Sequence, residues 1–215
     1  AVGSEQLLVD RAISEVSIAA RRSDPSLQRF DVSAGEEGAA NALLDATAPT
    51  LFGDGAIVVV TDIEQGDTAF ADALVAVLGE PRDNVHLVLT HPGGVKGKAL
   101  LEAVRRAGAV EVDCAVVKRG RPALEFITRE FAARKRKATG DAVAALYDSI
   151  GHDIGLLAGA VSQLVSDVEA NPIGVADVRD YFAAVGDVSS FVISDAVWER
   201  RFADAMKSLR QSMLV

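Results

Sequence analysis

A chain of 215 residues, 49% of them apolar, can bury a substantial core as one large domain or two modest ones. Its formal charge of -9 repels phosphate backbones over the surface as a whole, so any contact with nucleic acid must come from a local basic patch. A lone cysteine, Cys114, excludes an intramolecular disulfide, and no apolar run approaches the roughly 20 residues that span a bilayer. Together these fit a reducing compartment without a membrane segment, with the cytoplasm as the expected location. The opening residues Ala1-Val2-Gly3 carry neither an initiator methionine nor a signal-like region, which reads as a trimmed or incomplete chain.

In chain order, the spacing of apolar residues predicts a helix over 5–22, an extended run over 27–32 and a helix over 39–46. Short β-branched runs follow at 56–61, 85–90 and 110–116, separated by helical stretches over 69–78 and 99–107. Such alternation predicts a mostly parallel sheet with helices on both faces. From about residue 122 the apolar period becomes 3.6, predicting helices over 122–135, 141–150, 154–168, 175–185 and 195–213. Asp141 is placed to N-cap one of these, and Gly151 to close it with a positive φ. The fold class is therefore α/β: a parallel-sheet domain over 1–137, a small helical bundle over 138–188 and the start of a further helical domain over 189–215.

A sheet domain followed by helices is the layout of ATP-driven machines, whose phosphate loop would lie before the first helix. There the chain reads Gly3-Ser4-Glu5-Gln6, which lacks the second glycine, the lysine and the Ser/Thr of a phosphate cradle and adds acidic Glu5 and Asp10. Gly93-Gly94-Val95-Lys96-Gly97-Lys98 is a weaker substitute: Pro92 stands where the leading glycine belongs and Ala99 replaces the hydroxyl, so it reads as a strand-to-helix loop with solvated lysines. Asp62 and Glu64 follow the apolar run Ile57-Val58-Val59-Val60 as metal-holding carboxylates do, yet without a phosphate loop they read as a solvated strand end. His86, His91 and His152 show no metal-ligand spacing, and Cys114 sits in an apolar run as a small buried hydrophobe. No cofactor or metal is expected, and no catalytic residue. The densest basic feature is Arg134-Lys135-Arg136-Lys137, which is either a solvated helix end or a DNA-facing patch.

Thr50-Leu51-Phe52-Gly53-Asp54 lies directly before the 56–61 run, and pattern alone would turn its two large apolar residues back into the core. Several stretches, in order, carry a family resemblance: Gly3-Ser4-Glu5-Gln6-Leu7-Leu8-Val9-Asp10-Arg11-Ala12-Ile13, Pro49-Thr50-Leu51-Phe52-Gly53-Asp54 into Ile57-Val58-Val59-Val60, and residues 85–90. Phe126-Ile127-Thr128-Arg129-Glu130-Phe131, Gly151-His152-Asp153-Ile154-Gly155-Leu156-Leu157 with Gln163-Leu164, Val175-Ala176-Asp177-Val178 and Phe191-Val192-Ile193-Ser194-Asp195-Ala196-Val197 continue it. Across nearly its whole length the chain resembles the delta subunit of the bacterial DNA polymerase III clamp loader. The resemblance implies a degenerate AAA+-type sheet domain, a helical lid and the start of a collar. It also implies a non-catalytic subunit that binds and opens the sliding clamp through a Leu51-Phe52 tip flanked by Thr50 and Gly53. Implied partners are the clamp, the other loader subunits through the collar, and primer–template DNA in the assembled complex. Two departures stand out: the family's first strand is nearly gone and its collar is cut after about one helix. Two alternatives remain open, a divergent AAA+ nucleotide-binding ATPase using Asp62 and Glu64, and a nucleic-acid-binding module using Arg134 to Lys137.

Overall fold

In the computed structural model, residues 1–49 and 55–186 are described. The chain divides into two compact units, Ala1–Val116 and Val117–Val215. The helix before residue 137 packs on the two helices that follow it.

The first unit alternates helix and strand: α1 (Gln6–Ser23), β1 (Gln28–Ser33), α2 (Ala39–Thr47), β2 (Ala56–Thr61), a short 3-10 turn (Ile63–Gln65), α3 (Thr68–Gly79), β3 (Val85–Leu89) and α4 (Lys98–Arg106). Among the described residues the strands form a parallel sheet in the order β1-β2-β3, in register from Gln28↔Ala56 to Ser33↔Thr61 and from Ala56↔Val85 to Val60↔Leu89. Side chains alternate across a strand. Val58 and Val60 therefore pack with Leu43, Phe70, Leu74 and Val104 on one face, while Ile57 and Val59 pack with Val9, Ile13 and Cys114 on the other. Burial on both faces is why the central strand reads as an unbroken apolar run. Asp67 opens α3 by accepting from the Phe70 N–H at 2.8 Å, which satisfies one of the free donors of the first turn.

The strand expected over 110–116 does not form. Only Asp113 pairs, in a single parallel bridge with Val2, and Val2 bridges His91 beyond the end of β3 on its other side. A ladder needs a partner along its length, and the 110–116 run has one only at Val2.

The second unit contains α5 (Arg121–Ala133), α6 (Gly140–Ile150), α7 (Ile154–Asp167) and α8 (Val175–Gly186). α5 packs on α6 and α7, and α6 on α7 and α8, around Phe126, Ile127, Phe131, Leu146, Leu157 and Leu164. The N-cap of α6 is Thr139, whose side chain accepts from the Ala142 N–H at 3.2 Å, and Asp141 lies in the first turn instead. Gly151 ends α6 at φ 88, its N–H donating to the Tyr147 carbonyl. The helix expected over 195–213 lies outside the described residues.

Candidate functional site

Where a phosphate loop would sit, the backbone is already engaged. The Gly3 N–H donates to the His91 carbonyl at 2.9 Å and the Glu5 N–H to the Cys114 carbonyl at 2.9 Å. A phosphate cradle needs such donors free and converging. Gly3 has φ +140, and a Cβ there would lie 2.0 Å from the carbonyl carbon and oxygen of Cys114. Its glycine is therefore required by the close passage of the Cys114–Ala115 backbone. Glu5 holds the N-cap position of α1 with no side-chain cap bond, leaving a carboxylate where an anion would have to approach.

The carboxyl ends of β2 and β3 are where parallel sheets commonly bind ligands. Asp62 there has a left-handed backbone at φ 55, its N–H donates to Thr90 Oγ1 at 3.0 Å, and it is exposed. Glu64 is buried, its Oε1 accepting from Gln65 Nε2 at 2.9 Å while Oε2 lacks a protein partner. The two carboxylates thus differ in environment, and among the described residues no group of three or more His, Cys, Asp or Glu side chains is placed to hold a metal ion.

The 91–98 loop is fastened over this edge. His91 is buried, its Nδ1 accepts from the Gly93 N–H at 2.9 Å, and its Nε2, carrying the proton, donates to the Lys96 carbonyl at 2.9 Å. A Cβ on Gly97, at φ +68, would meet the Glu64 Cα at 2.6 Å. Lys96 and Lys98 are both exposed, and Lys96 donates to Gln65 Oε1. The sequence reading of solvated lysines holds for both, and Lys96 in addition ties the loop to the turn after β2. Sequence reasoning missed His91 as the organiser of this loop, although its bonding partners lie only two and five residues away. Cys114 is fully buried, its Sγ 3.7 Å from the Val112 carbonyl, and burial pushes its thiol up, away from the reactive thiolate.

The opposite, amino-terminal edge of the sheet carries the flanks of the expected tip. Thr50, Leu51, Phe52 and Gly53 lie outside the described residues. Before them, the Thr47 carbonyl accepts from Arg82 Nη1 at 2.6 Å; after them, the Ala56 N–H donates to the Asn84 carbonyl at 2.9 Å. A cavity of about 700 Å³ adjoins the first flank, lined by Leu44, Pro49, Val77, Leu78, Pro81 and Val85 among others.

In the second unit the basic run divides. Arg134 Nη1 donates to Glu130 Oε2 at 2.9 Å. Arg136 donates to the carbonyls of Val165 at 3.1 Å, Val168 at 2.6 Å and Ala170 at 2.6 Å, so its charge closes the carboxyl end of α7. Lys135 and Lys137 are exposed. No sequence signal near Arg136 points to acceptors about 30 residues away.

No protein-family model matches the chain, and no curated protein matches it in sequence. Solved structures do. The Bacillus subtilis DNA clamp loader delta protein (YqeN) matches with a TM-score of 0.70 at 14% identity, over 99% of this chain and 66% of that one, so the chain spans just under two thirds of its length. Two Thermotoga maritima RuvB structures, the P216G mutant and the Holliday junction branch migration motor, match at TM-scores of 0.42 and 0.41 with 13% and 12% identity. They are covered over 75% and 76% of their length by 91% and 90% of this chain. Among the described residues, no helix is long and apolar enough to cross a membrane. The chain has the α/β fold of the clamp loader delta protein, a parallel sheet flanked by helices and followed by a helical unit.

Proposed function

We propose that this chain is a clamp-loader subunit that binds and opens a sliding clamp through Leu51 and Phe52 and leaves ATP hydrolysis to neighbouring subunits. The observation that carries this reading is the engaged loop before α1: on a clamp-loader fold, the Gly3 and Glu5 donors are bonded to protein carbonyls instead of facing a phosphate. Residues 1–137 correspond in this reading to an AAA+-type domain without a phosphate loop, 138–188 to a lid and 189–215 to the start of a collar. The collar would join the other loader subunits, with primer–template DNA held in the assembled complex.

Burying one Leu and one Phe side chain contributes about 1.5 to 3 kcal/mol each before ordering is subtracted. Ring opening follows if the subunit has higher affinity for a clamp strained at its interface than for the closed ring, since only such a difference shifts the population. The test is Leu51→Ala with Phe52→Ala, measured for clamp binding by surface plasmon resonance, with circular dichroism as the check on folding. Affinity is expected to fall by roughly 100-fold or more with an unchanged spectrum. Normal binding by the double variant would remove the tip assignment.

A further inference from the structure

β1 is an outer strand of the sheet: among the described residues it pairs with β2 alone. The Gln28 N–H donates to the Gly55 carbonyl at 3.3 Å and the Ala34 N–H to the Thr61 carbonyl at 3.1 Å. Backbone groups alternate sides along a strand, so the even-numbered residues bond β2, and Arg29, Asp31 and Ser33 turn their N–H and carbonyl groups away from it. The Ser33 carbonyl is taken by the Glu36 N–H at 3.1 Å. Those of Arg29 and Asp31 lie along an open side, where residues 28–31 are all exposed. Outer strands commonly avoid pairing through proline, a bulge or lysine. β1 has none of these: its register with β2 runs unbroken, and its two charges are of opposite sign.

The order of those two charges selects a partner. Arg29 and Asp31 share one face of the strand, where Arg29 Nη2 lies 2.6 Å from Asp31 Oδ1 and both side chains are exposed. Phe30 points to the other face, 39% exposed, and no other aromatic side chain stands among the exposed large apolar residues described. An antiparallel copy of the same strand reaches the outward groups only in registers that set odd-numbered residues opposite odd-numbered ones. Registers centred on residue 29 or residue 31 place Arg29 opposite Arg29 or Asp31 opposite Asp31, and like charges directly opposite are destabilising. The register centred on Phe30 sets each Arg29 opposite the other copy's Asp31.

We infer that β1 pairs antiparallel with β1 of a second copy of this chain, about a twofold axis at Phe30, joining the two sheets into one. Each Arg29 N–H then donates to the other copy's Asp31 carbonyl, and each Arg29 carbonyl accepts from the other copy's Asp31 N–H. On one face the Arg29 and Asp31 side chains of both copies alternate in sign around the axis. On the opposite face the two Phe30 residues meet, with Cα atoms about 4.5 Å apart, close enough for their rings to pack. A strand of unrelated sequence matches the backbone equally well, whereas the alternating charges match a second copy. The net charge of -9 on each copy opposes association at long range, and at about 0.15 M salt that repulsion is screened beyond roughly 8 Å while the paired charges are in contact. The inference is independent of clamp binding and uses none of the residues assigned to it.

The test is sedimentation equilibrium of the 215-residue chain from about 10 to about 500 μM in roughly 0.15 M salt, with circular dichroism as the check on folding. The average mass is expected to rise with concentration towards twice that of the monomer. Asp31→Arg alone, or Arg29→Asp alone, sets like charges opposite each other and is expected to weaken the dimer by about tenfold or more. Arg29→Asp combined with Asp31→Arg reverses both signs, keeps the match and is expected to restore the wild-type association. The two single variants, mixed in equal amounts, are expected to pair with each other more tightly than either pairs with itself. A chain that stays monomeric throughout, a dimer that Asp31→Arg leaves intact, or a mixture of the single variants with no preference for each other would overturn the inference.

Discussion

The two edges of the sheet in the first unit end in opposite ways. At the carboxyl edge, Gly3, Glu5, Asp62, His91 and Lys96 all direct hydrogen bonds to other protein groups. At the amino edge, a cavity of about 700 Å³ adjoins Pro49. A nucleotide site depends on donors left free for phosphate, whereas a protein contact depends on apolar surface left uncovered. The carboxyl edge of the sheet is thus closed by bonds within the protein, whereas the amino edge carries an open cavity beside Pro49.

Breaking the closed edge is expected to have the largest effect on stability. Gly3→Ala places a methyl 2.0 Å from the Cys114 carbonyl, and a loss of roughly 2 to 4 kcal/mol is expected in denaturant unfolding. Wild-type stability would mean that the Gly3 contact is not required.

Arg136→Ala comes next, because it removes a charged donor from three carbonyls at the end of α7. Its expected cost is about 1.5 to 3 kcal/mol by the same measurement. Asp67→Ala removes the cap of α3 and is expected to cost about 1 kcal/mol, with Asp67→Asn largely restoring it.

The smallest stability change is expected from Lys135→Glu with Lys137→Glu, within about 0.5 kcal/mol of wild type, since both side chains are exposed. If these lysines contact primer–template phosphates, that pair lowers the salt slope of DNA binding by about 2. An unchanged slope would confine the basic run to its structural part.

Much of the fold was legible because it depends on local periodicity. Ile57 to Val60 reads as a strand buried on both faces, and that is where β2 lies. The helices from α1 to α8 likewise follow their apolar spacing, though their ends depend on caps: Thr139 and Asp141 are both good cap residues, and only the backbone selects Thr139. The 110–116 run shows the limit, since its composition is that of a strand but a ladder requires a neighbour that no local pattern supplies. At the candidate site, the missing lysine and second glycine of the phosphate loop were visible, whereas the bonds that close it, from Gly3 to His91 and Glu5 to Cys114, span about 90 and 110 residues. Arg136 reads as one charge among four until α7 is placed beside it.

The central claim is tested most directly by titrating a sliding clamp with the chain and with its Leu51→Ala, Phe52→Ala variant, each with and without MgATP. The account predicts that the wild-type chain binds, that the variant loses roughly 100-fold or more in affinity, and that MgATP changes neither. Clamp binding that survives the double substitution, or that requires MgATP bound to this chain, would contradict it.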